Sequence, residues 1–149
     1  MTIAPFPIAP WLRIIREPSL YQLPVTTIRS PEDVAGLLRT RFDAEEVEVF
    51  LVLMLDTKSQ VRAVSEVSRG LLNCSLVHPR EVFRAAIAYG AAAIILSHNH
   101  PSGDPTPSAE DQAVTRQLVA AGELLDMPVY DHVIVAGDRF VSFATRGLI

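Results

Sequence analysis

A chain of 149 residues with 49% hydrophobic and 20% charged side chains is long enough for one domain with its own core, and too apolar to be disordered. Its net charge of −4 and pI near 5.5 argue against a general nucleic-acid binder, which would show a basic stripe. Cys74 is the single cysteine, which excludes an intrachain disulfide and a thiolate-built zinc site and fits a reducing compartment.

Residues 1 to about 24 hold five prolines (Pro5, Pro7, Pro10, Pro18 and Pro24) and read as an extended arm with one short helix at Trp11 to Arg16. The arm lacks the basic and then apolar segments of a secretion signal. No apolar run approaches the length of a membrane span, the longest being Val49 to Leu55. A cytoplasmic protein without membrane partners is expected. Phe6, Ile8, Trp11, Leu12, Ile14 and Ile15 need cover, from the domain or from a second copy, so the arm raises the expectation of a homodimer.

Ser30-Pro31-Glu32-Asp33 predicts a helix start: a capping serine, proline at the first helical position and a carboxylate at the third. Val34, Leu37 and Leu38 then supply one buried face. Glu48 opens the apolar run to Leu55, Asp56-Thr57-Lys58-Ser59 is a turn, and Val61 to Val67 alternates weakly, which together predict a hairpin. Pro79 starts a second helix whose Val82, Phe83, Ala86 and Ile87 share a face, and Gly90 ends it. Ala91 to Leu96 is a short strand of the fully buried kind. A proline-rich loop follows, then a helix from Ser108 to about Leu125. Val129 to Val135 and Arg139 to Phe143 predict a last hairpin. Helices interleaved with a mostly hairpin-linked sheet predict a layered α/β domain.

The loop carries the chemistry. Residues 97–112 read SHNHPSGDPTPSAEDQ. If the extended path continues past Leu96, His98 and His100 point to the same side, because strand residues two apart do so. Asp111 lies one turn into the following helix. Two imidazoles and a carboxylate form a ligand set that suits zinc and leaves a position for water. Plainer explanations stand beside this one. Ser108 and Asp111 form S-x-x-D, a helix-cap signature that needs no metal, and two histidines in a loop are by themselves more often solvated than ligated. Spacing alone leaves both open.

His98-Asn99-His100-Pro101, six residues, Ser108, two residues and Asp111 resemble the H-x-H-P-x6-S-x2-D signature of the JAMM metalloproteases, whose domain is also called MPN or JAB. The stretch HNHPSGDPTPS is similar to the RadC branch of that family. Further support comes from Val77-His78-Pro79-Arg80-Glu81-Val82-Phe83, Leu55-Asp56-Thr57-Lys58, Asp131-His132-Val133-Ile134-Val135, and the ending with Val141-Ser142-Phe143 and Gly147-Leu148. The chain thus divides into a proline-rich arm, residues 1–27, and a RadC-like JAB/MPN domain, residues 28–149. The resemblance implies a cytidine-deaminase-like fold: a three-layer α/β/α sandwich with a mixed, largely antiparallel sheet. It also implies zinc held by His98, His100 and Asp111, and a catalytic glutamate ahead of the first core strand. Glu45, Glu46, Glu48 and Glu66 are candidates by composition. Glu48 matches the family pattern through Glu48-Val49-Phe50 up to Leu55-Asp56, while Glu45 and Glu46 read as a solvated strand end. The activity implied is metal-assisted hydrolysis of an amide or isopeptide bond in a peptide or protein. Glu48 takes a proton from water and passes it to the leaving amine, and Ser108 donates to the oxyanion, a role that competes with capping for its hydroxyl.

Other residues read as structural. His78 caps or packs a helix start, and Gly103 permits a turn. Cys74 is a small, partly buried residue, and Trp11 and Phe6 anchor the arm. His132 reads as a paired structural histidine, with support of the metal site as the alternative. Asn99 has no assigned chemistry beyond orienting a neighbouring loop. RadC-type proteins usually carry a helix-hairpin-helix module ahead of this domain, for which residues 1–27 are too short, and little chain separates Glu48 from His98 for ubiquitin-gripping insertions. Two rival functions remain: a non-catalytic protein-interaction module, and a DNA-associated accessory protein, which the acidic balance disfavours.

Overall fold

The structure, a computed structural model, describes residues 26–70 and 77–149. The expectations for the arm helix, Phe6, Trp11 and Cys74 fall outside the described residues. The elements are α1 (Pro31–Asp43), β1 (Val49–Leu55), β2 (Val61–Arg69), α2 (Pro79–Tyr89), β3 (Ala93–Asn99), α3 (Ala109–Leu124), β4 (Val129–Ala136) and β5 (Arg139–Ser142). The strands form one sheet in the order β2-β1-β3-β4-β5, with every pair antiparallel except β3 and β4. The parallel pair is the one joined through a helix, as a crossover requires.

Side-chain parity on β1 and β3 builds the layers. Val49, Leu51, Leu53 and Leu55 of β1, with Ala93 and Ile95 of β3, pack on Val34, Ala35, Leu38 and Phe42 of α1. Phe50, Val52 and Met54, with Ile94 and Leu96, pack on Val82, Phe83 and Ala86 of α2 and on Val114 and Leu118 of α3. A sheet buried on both faces has no polar alternation to show, which is why β1 and β3 are apolar throughout their cores. The three-layer α/β/α sandwich with a mixed sheet is the expected architecture.

Helix ends follow the capping chemistry. Asp33 Oδ2 accepts from the Arg29 and Ser30 amides at 2.8 and 3.0 Å, and Gly90 closes α2 at φ 79°, a left-handed conformation that favours glycine. Two expectations need correction. Ile87 is 54% exposed, lying with Pro79 and Leu125 along a shallow groove between α2 and α3. The Val82–Phe83–Ala86 stripe already meets the sheet, and Ile87 falls at its edge. His78 takes the N-cap position of α2, but its side chain makes no capping hydrogen bond. Among the described residues no helix is long and apolar enough to cross a membrane.

Candidate metal centre

β3 runs further than the apolar pattern indicates. It includes Ser97, His98 and Asn99, and the His100 amide still donates to Val135 O of β4 at 2.9 Å. The extended path therefore carries His98 and His100 to one side of the sheet, the α2/α3 side where Ile94 and Leu96 also lie. Phe50 pairs with His98 across the antiparallel β1–β3 ladder. Glu48, two residues before Phe50, keeps the same parity and faces the same side. Asp111 is the third residue of α3, held by a reciprocal cap: its amide donates to Ser108 Oγ at 3.0 Å, and its Oδ2 accepts from the Ser108 amide at 2.9 Å. Gly103, at φ 86°, makes the turn between the histidines and that helix.

The outcome is a compact donor cluster. One ligand atom each from Glu48, His98, His100 and Asp111 lies within 4.8 Å of all the others. His98 Nε2 is 3.0 Å from His100 Nε2, 3.3 Å from Asp111 Oδ1 and 3.7 Å from Glu48 Oε1, and His100 Nε2 is 3.4 Å from Asp111 Oδ2. A tetrahedral ion with bonds of about 2.0–2.1 Å holds its ligands about 3.3–3.4 Å apart. The spacings among the histidines and Asp111 cluster around that edge length, and Glu48 stands slightly further out. Burial is graded in the same sense. His98 and Asp111 are buried and form the floor, while the side chains of His100 and Glu48 keep 15% and 12% exposure at the mouth. Phe50 stacks on His98 with centroids 5.7 Å apart and planes 12° from parallel, which gives the floor an apolar wall.

The donor chemistry fits a divalent cation. His100 Nδ1 lies 2.8 Å from the Asp104 carbonyl, which can only accept, so the neutral ring turns a bare Nε2 into the cluster. Two carboxylates share the same small volume. Burial pushes the Glu48 carboxyl up from its ordinary value, against the neighbouring imidazoles that favour its charged form. Burial also acts upward on Asp111, but the imidazoles of His100 and His98 beside it prevail and hold it far below the usual carboxylate range. The bond to Asp111 in turn raises His100. These residues could hold a metal ion.

Three surrounding side chains organise the cluster. Asn99, between the histidines, accepts from the Val49 amide at 2.7 Å and donates to the Val47 carbonyl at 3.0 Å, gripping the backbone on both sides of Glu48. The loop it orients is thus the one that presents the candidate base. His132 is not a self-contained structural pair: its Nε2 is 2.7 Å from His98 Nδ1, and its Nδ1 is 2.6 Å from Thr115 Oγ1. Burial, then the neighbouring His98, lowers His132 well below the ordinary imidazole value. Thr115 escapes the sequence reasoning altogether, although its place four residues after Asp111 puts both on one helix face.

The remaining candidates separate from the cluster. Glu45 is not solvated; it pairs with Arg41 and Arg69, a network that Glu66 joins. Glu46 is exposed. Ser108 is exposed as well, and its cap uses an oxygen lone pair and not the hydroxyl hydrogen. A hydroxyl accepts and donates independently, so capping and donation to a substrate do not compete.

Comparison with known proteins finds relatives across most of the chain. A family profile described as "RadC-like JAB domain" matches residues 28–148. A "UPF0758 protein" of Moorella thermoacetica is 51% identical over 138 residues, covering 93% of this chain and 60% of the relative. One from Desulforamulus reducens is 51% identical over 122 residues, 82% of this chain and 54% of the relative. Another from Methanosarcina acetivorans is 46% identical over 126 residues, 85% and 55% respectively. The chain spans a little over half the length of these curated relatives, whose names state no activity.

Proposed function

Starting from a chain that belongs to the RadC-like JAB domain family, we propose that it is a zinc-dependent hydrolase of amide bonds in peptides or proteins, with Glu48 as proton carrier. The observation that supports this best is the convergence of Glu48, His98, His100 and Asp111 within 4.8 Å at a partly open mouth. His98, His100 and Asp111 would hold the ion, as neutral imidazole and carboxylate donors suit it. Zinc, when bound, supplies Lewis acidity toward a carbonyl oxygen and lowers the pKa of water toward neutrality.

The chain's own residues do the rest. Glu48 stands at the mouth with a carboxyl whose burial strengthens its hold on a proton, as suits a base that must later act as an acid. It accepts the proton of the attacking water and delivers it to the departing amine nitrogen. Asn99 holds the backbone that presents Glu48, and Phe50 shields the inner ligand from solvent. Ser108 keeps a free hydroxyl hydrogen for an oxygen of substrate. Losing a comparable donor elsewhere costs about 100- to 1000-fold in kcat.

Metal analysis combined with turnover of an unstructured peptide pool, read as new amino termini, tests the proposal. Wild type should carry one zinc per chain, His98→Ala should lose it, and Glu48→Gln should keep it and lose turnover. Undiminished turnover in Glu48→Gln removes the proposed base, and zinc held without any turnover favours a protein-interaction module instead.

A further inference from the structure

Beyond the four residues of the cluster runs a chain of short hydrogen bonds that returns to where it begins. His98 Nδ1 meets His132 Nε2 at 2.7 Å, His132 Nδ1 meets Thr115 Oγ1 at 2.6 Å, and Thr115 Oγ1 meets the Asp111 carbonyl at 2.6 Å. All four residues are buried, His98, His132 and Thr115 with no exposed surface at all, so water cannot substitute for any member. A histidine is an ambiguous neighbour for another histidine, since either ring nitrogen can donate or accept. The direction must come from elsewhere, and here it comes from the helix backbone.

Two oxygens 2.6 Å apart need a hydrogen between them, and a carbonyl has none to give. Thr115 therefore spends its only hydrogen on Asp111 O and can only accept from His132 Nδ1–H. With no exposed surface and its Nδ1–H given to a neutral hydroxyl, His132 is an uncharged ring, bare at Nε2, and accepts from His98 Nδ1–H. That leaves His98 Nε2 without a hydrogen, aimed at His100 and Asp111. Packing holds the two rings in place: His132 stacks on Phe143 with centroids 4.6 Å apart, and Phe50 stacks on His98. We infer that Thr115 and His132 are positioning residues that impose on His98 the tautomer whose Nε2 lone pair enters the cluster. The direction is set by the carbonyl of Asp111, whose carboxylate is itself in the cluster. One helical residue thus presents its own oxygen and dictates which nitrogen of the strand ligand faces it. The role rests on the proposed metal site, but the tautomer exists without any metal.

Histidine-selective 15N NMR of the metal-free full chain, at a pH where the rings are neutral, tests the inference directly. His98 and His132 should each carry hydrogen on Nδ1 and none on Nε2. Thr115→Val keeps the shape and removes the acceptor, so it should mix the tautomers of both rings and weaken zinc binding, read by chelator competition, about 10- to 100-fold. Thr115→Ser should restore both readings. His132→Gln, which can accept from His98 and donate to Thr115, should bind zinc more tightly than His132→Phe. Hydrogen on His98 Nε2 in wild type overturns the inference, and so do unchanged tautomers and zinc affinity in Thr115→Val. If wild type binds no zinc, the proposed function fails, while the tautomers of the metal-free protein still decide this inference.

Discussion

Replacing Asn99 with alanine removes the clamp on either side of Glu48, and the two lost hydrogen bonds are unequal. Val49 is fully buried, so its amide, 2.7 Å from Asn99 Oδ1, finds no water and is left unpaired. An unsatisfied buried donor costs about 1–3 kcal/mol. Val47 is 38% exposed, so water takes over its carbonyl at little cost. With a small contribution from the emptied volume, Asn99→Ala should lose about 2–3 kcal/mol. For a domain of this size that is a fall in Tm of roughly 6–12 °C. Urea unfolding of metal-free protein, with unchanged m, measures it. Zinc affinity should stay close to wild type because His98, His100 and Asp111 remain, whereas a Glu48 displaced by about 1 Å should cost turnover about 100-fold. Asn99→Asp adds a sign test. A protonated carboxyl reproduces the amide's donor and acceptor, but a carboxylate faces the Val47 carbonyl oxygen. The folded pKa of the introduced group is therefore raised, and its stabilisation is present at low pH and lost as pH rises through that value. Asn99→Ala within about 0.5 kcal/mol of wild type, the range of ordinary surface changes, would refute the clamp.

The metal should be displaced by acid from an unusually high pH. His100 must be deprotonated to ligate, and its bond to Asp111 raises its proton affinity in the metal-free protein. Apparent zinc affinity should thus keep rising with pH beyond the ordinary histidine range and level off only above the raised value. Chelator competition across pH checks this, and a plateau reached below the ordinary imidazole pKa contradicts it. Ser108→Ala should lose about 1 kcal/mol of stability through the cap, seen in thermal melts, and separately lower kcat with little change in KM. Ser108→Thr should recover both, and a kcat equal to wild type in Ser108→Ala would leave the serine as a cap alone.

Much of this protein is legible along the chain because the signals are local. Pro31 with Asp33 starts α1, and Pro79 and Gly90 mark the two ends of α2, each by chemistry confined to its own turn. The apolar runs at β1 and β3 announce strands buried on both faces, and His98, His100, Ser108 and Asp111 occupy 14 consecutive residues whose spacing carries a recognisable signature. Glu48 is already less accessible, because 49 residues separate it from His98 and only the family pattern singles it out. Exposure at an element's edge, as at Ile87, depends on how far the neighbouring helix reaches, which local periodicity does not encode.

Tertiary structure alone decided which residues serve the cluster. His132 stands on the strand beside β3, and Thr115 on the helix above it. Whether they meet depends on the parallel β3–β4 register and on the height at which α3 crosses the sheet. The same holds for Asn99, whose clamp exists because antiparallel pairing sets Phe50 against His98 and so brings Val47 and Val49 within reach. Residue type and spacing nominated His98, His100 and Asp111 as donors, since ligand chemistry is a property of side chains. Their orientation and tautomer were decided by contacts between segments distant in sequence, where hydrogen-bond direction propagates through space and leaves no periodic trace in the chain.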